Sequence, residues 1–405
     1  MNDELKTLLK ECEDICQRHL SIDISRGKPS KEQLDLSNDL IKSLDNYISK
    51  DNIDVRNYGG LTGIEDAKEM FSSILDIPSQ NFIVYGNSSL RIMYDFISRS
   101  MTHGVNGSTP WCKLEKIKWL CPVPGYDRHF SICEYFGIEM INIPMNEYGP
   151  DMDMIEEYIK DPSVKGMWIV PIYSNPTGII YSDEVIDRLA KLKPAAKDFR
   201  LYVDEAYVCH HLYDEEHHIP NLYQRCVKYH NEDIIYVFAS TSKMTFAGAG
   251  ISCCATSENN NEGIKKQLSI QYISANKVNQ MLHATFFKDK ESIEEHMKKH
   301  AQILRPKFEL LEKYLKEELN GLAEVTSPRG GYFISMFTNG IAKEVVKRCK
   351  DMGLTLTDAG CAYPYHKDPN NSHIRIAPSL LDVKDVELAA HIIALSVKIE
   401  TLIKG

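Results

Sequence analysis

The chain has 405 residues, room for two domains or one large one, and its 43% hydrophobic and 26% charged residues match a globular protein with its own core. A formal net charge of −10 argues against a nucleic-acid partner or an anionic membrane surface, which both need a basic face. Eleven cysteines without a CxxC pair read as reduced thiols of a cytoplasmic protein, and no uninterrupted apolar run of about 18 residues offers a membrane span.

In chain order, an amphipathic helix is predicted over residues 4–20, with Leu5, Leu8, Leu9, Cys12, Ile15 and Cys16 near helical spacing. This polar start lacks the apolar stretch of a signal peptide. Ser25-Arg26-Gly27-Lys28-Pro29 breaks the helix, and Asn57-Tyr58-Gly59-Gly60 opens a loop before a helix ending near Leu75. Short β-rich runs then alternate with helical stretches, at 82–85, 117–121, 139–143, 167–172, 201–203, 234–239 and 251–255. This rhythm predicts an α/β fold, a mainly parallel seven-stranded sheet covered on both faces, with ligands beyond the strand C-termini. Cys253-Cys254 falls in an apolar run and is assigned to the core. Past residue 290 the pattern becomes long charged helices (288–319), short strands at 331–336 and 373–377, and a terminal helix from about Val383. The expected organisation is a large domain over 49–290, a smaller α+β domain over 291–405, and an N-terminal segment (1–48) joining the small one.

The chemistry-bearing residues follow the predicted strands. Gly86-Asn87-Ser88-Ser89 can cradle a phosphate at a helix N-terminus, although on this segment alone a simple helix cap is the better reading. Tyr126, in Pro122-Val123-Pro124-Gly125-Tyr126-Asp127-Arg128-His129, can stack on a flat ring or fill the core. Asn175, in Asn175-Pro176-Thr177-Gly178, can donate to a ring oxygen or only form a turn. Asp204 ends a strand and can pair with a protonated ring nitrogen, with Tyr207 three residues on; a helix-capping aspartate is the plainer reading. Ser240-Thr241-Ser242-Lys243 sets a lysine after an apolar strand, where desolvation can make its amine nucleophilic; alone, it also reads as a surface lysine. Arg375, inside an apolar strand, needs an anion, either a substrate carboxylate or a structural partner.

Together, GNSS, PGYDRH, NPTG, DEAY, STSK and RIAPS resemble the fold-type I, class I aminotransferases over nearly the whole chain. RGKPSKEQLDLS, YGGLTGIEDAK, FASTSKMTFAGAG, KVNQ and KDPNNSHIRIAPS are similar to the bacterial aspartate aminotransferase subgroup called type Ic. The resemblance implies pyridoxal 5′-phosphate as cofactor, with Lys243 its Schiff-base lysine and proton shuttle, and Asp204 on the pyridine nitrogen. It places Asn175 and Tyr207 on the ring oxygen, Tyr126 on the ring face, and Ser88, Ser89, Ser240 and Ser242 on the phosphate together with the Gly86-Asn87 backbone. It gives Arg375 the substrate α-carboxylate, leaves Arg26, Gly27 and Arg128 as candidates near a second carboxylate, and sends Tyr58 into the partner's site of a homodimer. Many class I enzymes carry a phosphate-binding arginine eight residues after the lysine; here that place is Ile251, and Lys277 is the candidate substitute. The implied reaction is ping-pong transamination between aspartate and 2-oxoglutarate.

Other readings remain open at this level. An aminotransferase of other specificity, or a lyase or decarboxylase, fits the same fold. A non-catalytic sensor fused to a DNA-binding head fits poorly, because the catalytic pattern starts almost at the first residue. His210-His211 and His217-His218 lack metal-site spacing, and neither GxxxxGK[ST] nor GxGxxG is present.

Overall fold

The computed structural model describes residues 3–214 and 220–405. Its strands, in chain order, are β1 (Ile22–Asp23), β2 (Phe82–Val84), β3 (Lys118–Val123), β4 (Glu139–Asn146), β5 (Gly149–Pro150), β6 (Val164–Ile169), β7 (Arg200–Asp204), β8 (Ile235–Ser240), β9 (Ser252–Ala255), β10 (Ala323–Val325), β11 (Ile334–Thr338), β12 (Leu354–Thr355) and β13 (His373–Ile376). The large sheet runs β2-β9-β8-β7-β6-β3-β4-β5. β8, β7, β6, β3 and β4 are parallel neighbours, while β9 is antiparallel to both β2 and β8. It has eight strands rather than the expected seven, because β4 runs on to Asn146 and turns into the two-residue β5.

The central strands β6 and β7 are buried along their whole length, as parallel strands covered on both faces must be. Lys165 is tolerated inside β6 because Asp198 meets its ammonium at 2.7 Å. β6 starts and ends three residues earlier than the 167–172 run predicts. Its pairing with β7 stops at Ile169↔Val203, and Pro171, with no N–H to give, lies beyond. Cys253 and Cys254 are fully buried, and all eleven cysteines are unpaired.

A second sheet, β10-β11-β13, is antiparallel. Its apolar cluster takes residues from the helices Lys290–Glu318, Ala342–Asp351 and Val383–Lys404, and also Cys12, Ile15 and Ile24 from the chain start. The first helix ends at Cys16, earlier than expected, and β1 then pairs with β12 in parallel. Among the described residues, no helix is long and apolar enough to cross a membrane, and no His/Cys/Asp/Glu cluster can hold a metal. His217 and His218 lie outside the described residues.

Gly166 is where β6 passes closest to its neighbours: a Cβ there would lie 2.3 Å from the Trp119 ring and 2.7 Å from the Arg200 carbonyl oxygen. Backbone cannot yield as a flexible side chain does. Gly166→Ala should therefore destabilise the protein by about 2–3 kcal/mol, seen as a lower urea midpoint.

Candidate active site

β3, β6, β7 and β8 end on the same edge of the sheet, and the residues beyond them line one cavity of about 530 Å³. Tyr126, Asp127 and Arg128 follow β3, Asn175 follows β6, Asp204 closes β7 with Tyr207 after it, and Ser242 and Lys243 follow β8. The opposite wall is Arg26, Gly27 and Lys28 of the chain start, Phe333, Thr357, and Arg375 of β13.

Asp204 is buried, and its Oδ2 lies 3.2 Å from His129 Nε2. The His129 ring lies flat on Trp168 at 4.6 Å, and Tyr126 meets its edge at 4.9 Å. Asp204 Oδ1 has no hydrogen-bond partner in the chain. A buried carboxylate oxygen in that condition calls for a donor from a ligand, and the N–H of a pyridinium ring is one. The residues present therefore fit pyridoxal phosphate.

Lys243 Nζ sits 4.6 Å over the Tyr207 ring. Burial pushes its pKa down, with Asp204 opposing in part. An amine held this way loses its proton more easily and becomes a nucleophile. The turn that carries it is clamped by its own carbonyls. Lys243 O lies 3.4 Å from both His210 Nε2 and the Tyr332 hydroxyl, and Met244 O lies 2.7 Å from His296 Nε2. A carbonyl only accepts, so each of these nitrogens carries the hydrogen. Burial lowers both imidazoles' pKa values, which keeps them neutral. Burial likewise raises the phenols of Tyr207 and Tyr126, the latter to about 12.

Arg375 lies over the Phe333 ring at 4.9 Å and donates through Nη1 to Asp127 Oδ1 at 3.0 Å and Asn175 Oδ1 at 3.4 Å. Arg26 and Arg128 line the cavity without an ion pair among the described residues.

Several expected residues stand off this wall. Ser88 caps the helix Ser89–His103 by accepting from Arg91 N–H, and neither Ser88 nor Ser89 lines the cavity. Gly86–Ser89 still adjoins the lysine turn: Ser242 Oγ donates to Asn87 O at 3.2 Å, and Ser240 Oγ to Ser242 Oγ at 3.2 Å. Tyr58 is 78% exposed. Lys277 corrects an expectation. Its ammonium donates to Asn57 O (2.7 Å), Gly59 O (2.8 Å) and Ser274, so it pins the loop carrying Tyr58 and does not reach the cavity. Ile251 is buried in the core. The sequence reading gave no role to His129 or Asp127, although both lie within the motif around Tyr126.

A larger cavity, about 720 Å³, is lined by Glu205, Cys209 and the start of the helix Lys290–Glu318; it contains neither Lys243 nor Asp204. Glu205 points there with its carboxyl pushed up to about 8, by burial and then by Asp204.

A half-buried lysine and an orphaned aspartate at the ends of a doubly covered parallel sheet mark the class: a pyridoxal-phosphate-dependent aminotransferase of fold type I. The family model described as aspartate amino-transferase matches residues 1–404. An aspartate aminotransferase of Corynebacterium glutamicum is 45% identical over 388 residues, covering 94% of this chain and 89% of that protein. Solved structures agree. One from Corynebacterium diphtheriae, described as a candidate aminotransferase, superposes with a TM-score of 0.95 at 46% identity, covering 98% of this chain and 99% of the other. An aspartate transaminase from Corynebacterium glutamicum gives 0.95 at 43%, covering 98% and 95%. The chain belongs to the aspartate aminotransferase family.

The lowered pKa of Lys243 sets a pH-dependent cost on folding. A lysine whose folded pKa lies below its unfolded value destabilises the fold as pH falls below that unfolded value, and costs nothing above it. In cofactor-free protein, Lys243→Met should therefore gain more stability at pH 7 than near pH 11 relative to the parent, measured by urea unfolding at both values.

Proposed function

We propose that the enzyme transfers the amino group of aspartate to 2-oxoglutarate in a ping-pong cycle, with Lys243 as the proton-transferring amine. The observation that carries this reading is the pairing of the Lys243 amine with the partnerless Asp204 Oδ1 in one cavity. The name of the Corynebacterium glutamicum relative supports aspartate as donor, and three cations lining the cavity (Arg26, Lys28 and Arg128) suit a dicarboxylate.

Bound pyridoxal phosphate supplies an aldehyde that takes up the amino group and a ring that draws electrons from the Cα–H bond. Lys243 Nζ takes the Cα proton as general base and later returns one. Asp204 Oδ1 accepts the ring N–H and keeps that nitrogen protonated, while His129 fixes the other carboxylate oxygen. Asn175 and Tyr207 would donate to the ring oxygen, and Tyr126 would cover the ring. The hydroxyls of Ser88, Ser89, Ser240 and Ser242 and the backbone of Gly86-Asn87 hold the phosphate. Arg375 grips the α-carboxylate, with Gly27 leaving room beside it: a Cβ there would lie 2.8 Å from the Phe333 ring.

The working unit is a homodimer with shared sites. Tyr58 projects from a loop that Lys277 braces, and Ile270 and Ile273 lie exposed a few residues before Lys277. Exposed apolar residues of this size beside an outstretched tyrosine mark a contact surface, through which Tyr58 reaches the neighbouring cofactor phosphate. By the same reading, 49–290 and 291–405 form the large and small bodies, with 1–48 attached to the latter.

Lys243→Ala should lower transamination by at least about a thousandfold and remove the visible absorbance that the lysine-linked cofactor gives. A donor panel of Asp, Glu, Ala, aromatic and branched amino acids should rank aspartate first. Release of ammonia or carbon dioxide without oxo acid formation would instead identify a lyase or decarboxylase.

A further inference from the structure

Arg375 has five N–H donors, and every one is engaged by the protein. Nη1 serves Asp127 Oδ1 at 3.0 Å and Asn175 Oδ1 at 3.4 Å; Nη2 serves Thr357 Oγ1 at 3.3 Å and Ser25 O at 3.5 Å; Nε serves Thr357 Oγ1 at 3.4 Å. Four of these contacts are long and to neutral atoms. The contact with Asp127 is the short one, and the one with charge on both sides. The Arg375 side chain is 4% exposed and that of Asp127 21%, so the pair is poorly screened by water.

Asp127 opens the helix Asp127–Tyr135, where an acid is welcome near the helix N-terminus. That plain explanation does not account for its direction. Among the described residues its carboxylate takes no hydrogen bond from the helix N–H groups; it turns to Arg375 across 248 residues of sequence. Both residues line the cavity.

We propose that Asp127 is a positioning residue that acts through Arg375, an internal carboxylate that competes with the substrate's α-carboxylate for its guanidinium. This rests on the reading of Arg375 as the α-carboxylate site. A carboxylate binds a guanidinium best through two parallel N–H bonds, and Nη1, one arm of the fork, is held by Asp127. If Asp127 stays when substrate arrives, two like charges share one cation. If it swings away, its ion pair is lost. Either course weakens binding of every substrate and product that carries an α-carboxylate. A ping-pong cycle needs two product departures per turn, and a carboxylate that returns to Arg375 helps each one leave. Arg26, Lys28 and Arg128, which make no ion pair among the described residues, line the same cavity and give Asp127 a favourable place to move toward.

The test uses the holoenzyme and Asp127→Asn, which removes the charge and keeps an oxygen acceptor for Arg375. Dissociation of succinate, a non-reacting dicarboxylate, is measured from its effect on cofactor absorbance, beside steady-state kinetics with aspartate and 2-oxoglutarate. The expected result is succinate bound about tenfold more tightly, KM lowered for both substrates, and kcat unchanged or lower as release slows. Succinate affinity that is unchanged or weaker would overturn the proposal and make Asp127 an anchor for Arg375. Asp127→Ala separates charge from hydrogen bonding: succinate affinity gained in both variants supports competition, whereas loss confined to Ala shows anchoring. Arg375→Lys is the separate control. If it leaves succinate affinity and both KM values intact, the assignment of Arg375 fails, whatever Asp127→Asn does.

Discussion

Two opposite charges, one buried and one half-buried, at the ends of neighbouring parallel strands, are what the rest of the structure serves. Asp204 closes β7, and Lys243 follows the end of β8 by a short turn. Neither would stay in place by itself. An unsatisfied buried polar atom costs about 1–3 kcal/mol, and more when charged. Asp204 Oδ1 carries such a cost in the bare chain, and the depressed pKa of Lys243 is another form of it. The surrounding packing opposes relaxation. His129 is held between Trp168 and Tyr126, so the carboxylate it touches cannot turn freely. The site is stabilised elsewhere, by strands buried on both faces, and its unmet hydrogen bond becomes affinity when a ring N–H arrives.

The same logic explains why elements outside the large sheet reach the site. The lysine turn belongs to the large sheet, yet its carbonyls are held by Tyr332, just ahead of β11, and by His296 on the long helix. Gln33, near the chain start, donates to both the Tyr332 hydroxyl (2.9 Å) and His300 Nδ1 (3.0 Å), with His300 one helical turn beyond His296. Neutral donors suit this role, since they add directional bonds without a charge that would compete with Lys243 for Asp204. Arg26 and Arg375 thus reach the cavity beside Tyr332 and Gln33, which also steady the lysine turn.

Much of this is legible in the sequence. Strands buried on both faces are apolar runs, and the turn residues after them mark the edge where ligands collect. Seven runs became seven strands, and Lys243, Asp204, Asn175, Tyr207, Tyr126 and Arg375 line one cavity. What escaped was long-range. Nothing local to Lys277 tells that its ammonium is claimed by carbonyls more than two hundred residues earlier. His129 and Asp127 sat inside a motif already in view. Their partners, Asp204 and Arg375, lie on other elements, so only the packed fold gives these two side chains something to hold. The short β5 was missed because two residues carry no periodicity.

The isoleucine at 251 shows how one substitution constrains its neighbours. Its N–H donates to Thr241 Oγ1 at 3.0 Å, and its carbonyl accepts from Thr241 N–H at 2.9 Å, so the backbone is tied to the lysine turn in both directions. The side chain lies in the apolar cluster beneath the sheet. A guanidinium along that course would be buried without an anion, so an arginine could reach a phosphate only if the backbone changed its path. In this chain the helix N-terminus after Ser88 and the hydroxyls of Ser240 and Ser242 adjoin the turn instead. Arg91, the third residue of that helix, packs against Gly86: its Cδ lies 3.9 Å from where a Cβ would stand. Gly86 itself takes a positive φ, which glycine adopts without strain, and so lets the chain turn from β2 into that helix.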